Sequence, residues 1–326
     1  MISRRSFLGS ASLLAIAASL PAIVRANDTA KGRLVFGIAP GAVGNQLAGT
    51  TLDILAKQFN TDYRLDILDA RNTLQASETV KLAPADGSTL LQTQSSSMVL
   101  FPSLYRSLAY DPMKDFTPLA LMGDYSFALT VGPVVPASVT TVDQYLAWVK
   151  ENPDFRDIGF SVYGSQSHLI SMVLGRSKEI AIRPQSYKSI PAMLGDLQGQ
   201  TIAAAITVAG NTALTNAKGL RPLAVTGRER LQGWPNVPTF AESGVKDMEI
   251  QGWYAWFAPA NLPATTAQQW RERLTAVQAT PAYATLQQRL LLKQVSMSPE
   301  QIHARMRTEM ASYAKLVESY SLSQIT

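Results

Sequence analysis

The sequence predicts an α/β protein built as two lobes, and three observations carry that reading. Short runs of β-branched and aromatic residues alternate with segments of helical period, which argues for parallel β-α-β units. The alternation runs twice along the chain, and 326 residues exceed the usual span of one domain. Apolar residues make up 46% and charged residues 16%, enough side chain for a sizeable core and too little charge for a disordered chain.

In the first stretch, residues 32–39 (GRLVFGIA) form a strand that ends at Pro40-Gly41. Leu47, Leu52, Leu55, Ala56 and Phe59 then recur at helical spacing, which predicts a helix over 45–59. Residues 63–68 (YRLDIL) predict a second strand, 74–83 a helix, and 88–92 (STLLQ) a third strand after the Asp86-Gly87 turn signal. Pro112, Pro118, Pro133 and Pro136 make the next stretch a loop-rich crossing around the apolar run 125–131. A helix over 141–150, capped by Thr140 or Thr141, opens the second stretch. There 158–162 is strand-like, 165–174 and 190–197 are helical, and 201–208 and 220–226 (LRPLAVT) are strands. After a return over 235–241, the aromatic run 251–258 (QGWYAWFA) is a strand or crossing segment, and helices follow over 265–279, 281–293 and 299–320.

Residues 1–26 read as an address rather than as structure. A twin arginine, Arg4-Arg5, precedes an apolar run from Phe7 to Val24 and a small residue at Ala26, the pattern of a secretory signal of the twin-arginine type. An uncleaved anchor is the alternative, but the run is rich in Ala and Ser and barely reaches spanning length. The expected mature chain, 27–326, is periplasmic. Lys and Arg number 29 against 24 Asp and Glu, and three of the arginines lie in that address, so the remaining excess is too small to mark a nucleic-acid or membrane surface. With no cysteine, thiolate nucleophiles, iron–sulfur clusters and Cys-ligated zinc are excluded. Two histidines, His168 and His303, make a histidine-built metal site unexpected, and no cofactor is predicted.

Ligands of open α/β sheets bind beyond the carboxyl ends of strands, where loops turn into helix starts. Two segments fit. In Pro40, Gly41, Ala42, Val43, Gly44, Asn45 and Gln46, two glycines allow close backbone approach before a helix start that suits an anion. An ordinary strand-to-helix turn is the plain alternative, and neither a P-loop lysine nor a third dinucleotide glycine is present. In Tyr163, Gly164, Ser165, Gln166, Ser167 and His168, the hydroxyls and first-turn amides could donate to a carboxylate, or one serine could simply cap the helix. The polar run Gln92-Thr93-Gln94-Ser95-Ser96-Ser97, at the end of the third strand, is a further candidate, with a plain loop as the alternative. Ser165 and His168, three apart, would be the core of a serine hydrolase, but the Gly-x-Ser-x-Gly elbow and a third group are absent. His303 with Arg305 and Arg307 reads as a solvated helix face. No catalytic residue is assigned.

Several segments together resemble a known family: Asp86-Gly87-Ser88-Thr89-Leu90-Leu91, Pro102-Ser103-Leu104-Tyr105, Tyr110-Asp111-Pro112, Gly164-Ser165 with His168-Leu169, Tyr187-Lys188, Leu223-Ala224-Val225-Thr226, and Pro235-Asn236-Val237-Pro238-Thr239. In order and spacing they resemble the Bug-type receptors of tripartite tricarboxylate transporters. The resemblance implies a type II-like two-lobed periplasmic binding protein, each lobe a mixed sheet flanked by helices, with lobe 1 at 27–126 plus 247–326 and lobe 2 at 127–246. It implies a monomer that closes on a small organic anion and delivers it to a membrane permease, or presents it to a sensor kinase. By position, the 40–46 loop, the 163–168 turn, Ser95 to Ser97, Tyr187, Thr207 and Asn211 would line the cleft. The family's Gly-Gly and Asp in the first loop are here Gly41-Ala42 and Asn45, and its Pro-Tyr-Lys-Gly is Ser186-Tyr187-Lys188-Ser189, which implies a remodelled pocket.

Overall fold

The computed structural model describes residues 31–215 and 219–325; the predicted address at 1–26 lies outside them. Its first unit is parallel, as the alternation predicts. β1 (Lys31–Phe36) lies between β2 (Asp62–Ile67) and β3 (Thr89–Gln94), parallel to both, with α1 (Val43–Phe59) and α2 (Leu74–Lys81) as the crossovers. Leu47, Ala48, Leu52 and Leu55 form the buried stripe of α1. β3 runs through Ser95 directly into a π-helical turn, Ser96–Leu100, and α3 (Phe101–Leu104). The Phe101 N–H donates to the Ser96 carbonyl, five residues back, a wide turn of a kind found often at functional sites.

β4 (Phe116–Val131) departs most from the expected crossing loop, being one strand of 16 residues. Its register against β9 (Gln251–Pro259) shifts after Pro118 and again before Gly123, where φ is +141°. The proline without an N–H therefore falls at a bulge, where a strand tolerates it. β4 pairs antiparallel with β9 up to Ser126, then with β7 (Ala204–Val208) from Phe127 and with β8 (Arg221–Val225) from Ala128. One strand thus serves two parts of the sheet.

The second unit holds α4 (Val142–Glu151), β5 (Asp157–Ser161), α5 (Gln166–Ser177), β6 (Arg183–Tyr187), α6 (Ile190–Gln198) and the short α7 (Ala209–Leu214). Thr141 caps α4 by accepting the Gln144 N–H at 3.2 Å. β6 and α7 are absent from the periodicity. β6 is an edge strand with a mostly accessible sequence, RPQSY, and the edge tolerates Pro184. The sheet order is β2-β1-β3-β9-β4-β7-β5-β6, with β8 beside β4.

α8 (Ala264–Gln278), α9 (Pro281–Arg289) and α10 (Pro299–Ser319) close the fold near their predicted places. The expected solvated face of α10 is only partly so. Arg305 reaches Asp124 at 2.8 Å and Glu309 at 2.7 Å, and Glu309 accepts from Trp253 Nε1 at 2.8 Å. Burial raises the Asp124 and Glu309 carboxyls above their ordinary range although Arg305 opposes it. Trp253, Tyr254, Trp256 and Phe257 of β9 are all buried, so the aromatic run is a wall shared by both parts of the sheet. Among the described residues, no helix is long and apolar enough to cross a membrane.

Candidate functional site: the cleft between the lobes

Strand ends and helix starts from the two units face each other across one pocket. Ile38, Ala42, Gln94 and Ser96 line one side; Ser161, Ser165, Ser167, Ile190, Thr207, Val208 and Asn211 line the other; Phe127 and Tyr254 of the crossing strands form the floor. This is the switch-point geometry in which α/β sheets bind ligands. The walls stand close. The pocket holds about 370 Å³ of space, part of it open to solvent. No lining side chain is charged, and apolar and hydrogen-bonding groups share the wall.

The two helix starts are finished in different ways. At α1, the Asn45 Oδ1 accepts the Ala42 N–H at 2.9 Å and its Nδ2 donates to the Ile38 carbonyl at 3.1 Å. Asn45 is therefore a cap for its own loop, and both ends of its amide are spent there. The Val43 N–H donates across the cleft to Asn211 Oδ1 at 2.8 Å. Pro40 and Gly41 are exposed, with Gly41 at φ +97°, and a Cβ there would stand 2.5 Å from Pro191 of α6. A Cβ at Gly44 would meet Phe36 at 2.4 Å, so only glycine lets α1 start against that ring. Gln46 is half-buried one turn in and does not line the pocket.

At α5, the Gly164 N–H donates to His168 Nδ1 at 3.2 Å and the Ser165 N–H to the Val162 carbonyl at 3.0 Å. The His168 ring stacks on Phe160, 4.4 Å between centroids and 11° between planes, and also faces Tyr163 at 4.5 Å. Burial lowers its pKa to about 4, so the ring is a neutral acceptor at Nδ1. Ser165 Oγ donates to the Ser161 carbonyl at 3.1 Å and lies 2.8 Å from Ser167 Oγ. The hydroxyl thus engages a carbonyl and a second serine.

Gln166 leaves its helix start for the opposite lobe. Its side chain bonds Ser95 Oγ at 2.9 Å, Ser96 Oγ at 2.8 Å, Tyr313 OH at 2.7 Å and the Gln251 carbonyl at 3.2 Å, and its N–H donates to Ser96 Oγ at 3.3 Å. Ser97 turns away, to Thr73 at 3.0 Å, while its carbonyl accepts from Tyr110. Asn211 Nδ2 donates to Thr207 Oγ1 at 2.8 Å.

An outer groove continues the pocket through Ile38, Ser161 and Ile190 to Arg71, Asn72, Thr73, Tyr187 and Lys188. Tyr187 lies in this groove and not in the inner pocket, its hydroxyl donating to Asp196 at 3.0 Å. Arg71 is paired with Glu78. Val162 and Thr73, both β-branched and both lining the groove, take φ of +64° and +74°. Backbone strain of this kind collects at ligand sites.

Of the residues singled out in the sequence, the pocket gathers Ala42, Ser96, Ser165, Ser167, Thr207 and Asn211 on its wall. The pocket also holds Gln94 of the polar run and Tyr254 of the aromatic run, whereas sequence reasoning passed over Ile38, Phe127, Ser161, Ile190 and Val208. Within the polar run, Gln94 stands two residues beyond Gln92, and strands repeat their faces every second residue.

The pattern of the family described as "Tripartite tricarboxylate transporter family receptor" matches residues 68–322. A protein of Agrobacterium vitis, the UPF0065 protein in the TAR-I ttuE-ttuC' intergenic region, is 28% identical over 275 residues, 82% of this chain and 78% of its own. Protein BugT of Bordetella pertussis is 30% identical over 177 residues, 54% of each chain. Among solved structures, R. palustris Rpa4515 with adipate superposes at a TM-score of 0.85 with 24% identity, over 91% of this chain and 99% of that one. MatC (Rpa3494) from Rhodopseudomonas palustris with bound malate gives 0.82 with 19% identity, over 89% and 99%. The match over most of the chain and the two-unit α/β fold agree: this chain belongs to the tripartite tricarboxylate transporter receptor family.

Proposed function

We propose that this protein is a periplasmic receptor that captures a small carboxylate between two lobes and delivers it to a tripartite membrane permease. The observation that carries the reading is the pocket itself: hydroxyl and amide donors from both units converge on one enclosed space with no charged side chain. Such a site binds an anion by neutral donors in a low-dielectric setting, where each hydrogen bond to charge contributes about 1.5–3 kcal/mol. Capture in this reading proceeds by the lobes parting and closing around the ligand. The division into 27–126 plus 247–326 and 127–246 is supported by the change of partner along β4 between Ser126 and Phe127. The twin-arginine segment supports the periplasmic placement. The chain is read as a binder and not an enzyme, because His168 has its Nδ1 engaged and its basicity suppressed.

A thermal-shift panel tests this. Adipate and malate, seen bound in two neighbours of the same fold, head a set of mono- and dicarboxylates, amino acids and aromatic acids. A ligand held only by the native state raises the melting temperature in proportion to the logarithm of its concentration. At least one acid is expected to do so, and a flat response across the panel would contradict the reading.

A further inference from the structure

Two glutamines stand on the same face of β3 and are used differently. Gln92 is fully buried and spent at both ends, donating to the Gly44 carbonyl at 2.7 Å and accepting from Trp256 Nε1 at 3.0 Å. Gln94, two residues on, is half-buried, sits in register with Tyr254, and lines the pocket. Its side-chain amide has no hydrogen-bond partner among the described residues.

The donors around it are largely committed. Ser165 and Ser167 own two hydroxyl hydrogens; the Ser161 carbonyl takes one and the bond between the serines takes the other. Ser96 donates to Gln166. Asn211 spends one N–H on Thr207 and its oxygen on Val43. Gln94 keeps two N–H donors and one acceptor, and on the wall built by β1, β3 and α1 it is the amide left free among the described residues.

We propose that Gln94 determines the ligand class of this pocket: its Nε2 donates to the ligand's carboxylate, facing the Ser165–Ser167 and Thr207–Asn211 pairs across the cleft. The assignment rests on the carboxylate-receptor reading above. An uncharged amide selects by donor against acceptor and not by net charge. Turning it into a carboxylate of the same shape therefore inverts what it accepts. Glu at this position repels a ligand carboxylate and accepts from a primary amide.

The test is calorimetric titration of the wild type, Gln94→Ala and Gln94→Glu with the acid that shifts the wild type most, and with that acid's primary amide. Gln94→Ala is expected to weaken the acid by roughly 10- to 100-fold, the loss of a hydrogen bond to a charge. Gln94→Glu is expected to weaken it by at least about 100-fold and to bind the amide more tightly than the acid, a reversal that a merely structural role would not produce. Acid affinities within about threefold of the wild type in both variants overturn the assignment alone. A wild type that binds no acid overturns the receptor reading and this assignment with it. Melting of the free variants with the wild type shows the fold intact; should Gln94→Ala melt early, Gln94→Glu, which keeps the side chain's shape, carries the test.

Discussion

The two helix starts that face each other across the cleft grow from the same β-α motif, yet one is completed largely within its own loop and the other by the far side of the molecule. At α1, Asn45 satisfies the Ala42 N–H and the Ile38 carbonyl a few residues away. At α5, the first helical residue, Gln166, reaches Ser95, Ser96, Gln251 and Tyr313, as far as 147 residues along the chain. A cap made of neighbours sets only a local conformation. A cap made across the cleft ties closure of the lobes to the order of the site. The comparison also bears on how an anion is held. The N–H groups of Ala42, Val43, Gly164, Ser165 and Gln166 all have protein partners. These five groups are therefore not free to meet the ligand, while the side-chain amide of Gln94 is.

The largest effect is expected at the far-reaching cap. Gln166→Leu keeps the volume of the side chain but takes one hydrogen-bond partner from each of the buried Ser95, Ser96 and Tyr313 hydroxyls and breaks the network that joins them. Urea unfolding should show a loss of roughly 3–5 kcal/mol, the cost of breaking a buried polar network. A loss under about 1 kcal/mol would erase the contrast between the two helix starts.

Next comes the ring that braces α5. The His168 pKa is lowered from 6.5 to about 4, so between those values the unfolded chain binds a proton that the native ring refuses. Native stability from this group is full above pH 6.5 and falls as the pH drops toward 4. His168→Asn, whose oxygen can take over the Gly164 N–H, should remove that slope. Between pH 7.5 and 4.5 the wild type should lose about 2–3 kcal/mol more than the variant. Parallel stability curves would show that the ring is not held neutral.

The smallest effect belongs to the local cap. Asn45→Asp keeps the acceptor for the Ala42 N–H, gives up the donor to the Ile38 carbonyl, and adds a negative charge at a helix start. These changes oppose one another, and urea unfolding should move by less than about 1 kcal/mol. A change as large as that of Gln166→Leu would put the two caps on an equal footing.

Legibility follows the same divide between near and far. The parallel units were readable because burial writes helical and alternating periods into α1, α5, β1 and β5. The cap of α4, placed by the sequence at Thr140 or Thr141, was readable because Thr141 acts on the residue three positions on. β4 was not, since Pro118 and Gly123 make sense only against the register of β9, more than 100 residues away. Arg305 looked solvated because its partner Asp124 lies 181 residues back. Gln94 and Tyr254 each stood in a run the sequence marks, but their meeting in one pocket depends on the β3–β9 pairing, which local spacing does not announce; Phe127 and Ser161 of the same wall became legible only once the sheet order was known.

The most direct test of the account is a crystal structure with the acid that most raises the melting temperature. The account predicts the carboxylate between Gln94 on one wall and Ser165, Ser167, Thr207 and Asn211 on the other, with the lobes closed. The same acid in the groove behind the crossing strands, among Asp124, Arg230, Gln251 and Lys293, with the inner pocket shut and unchanged, would contradict it.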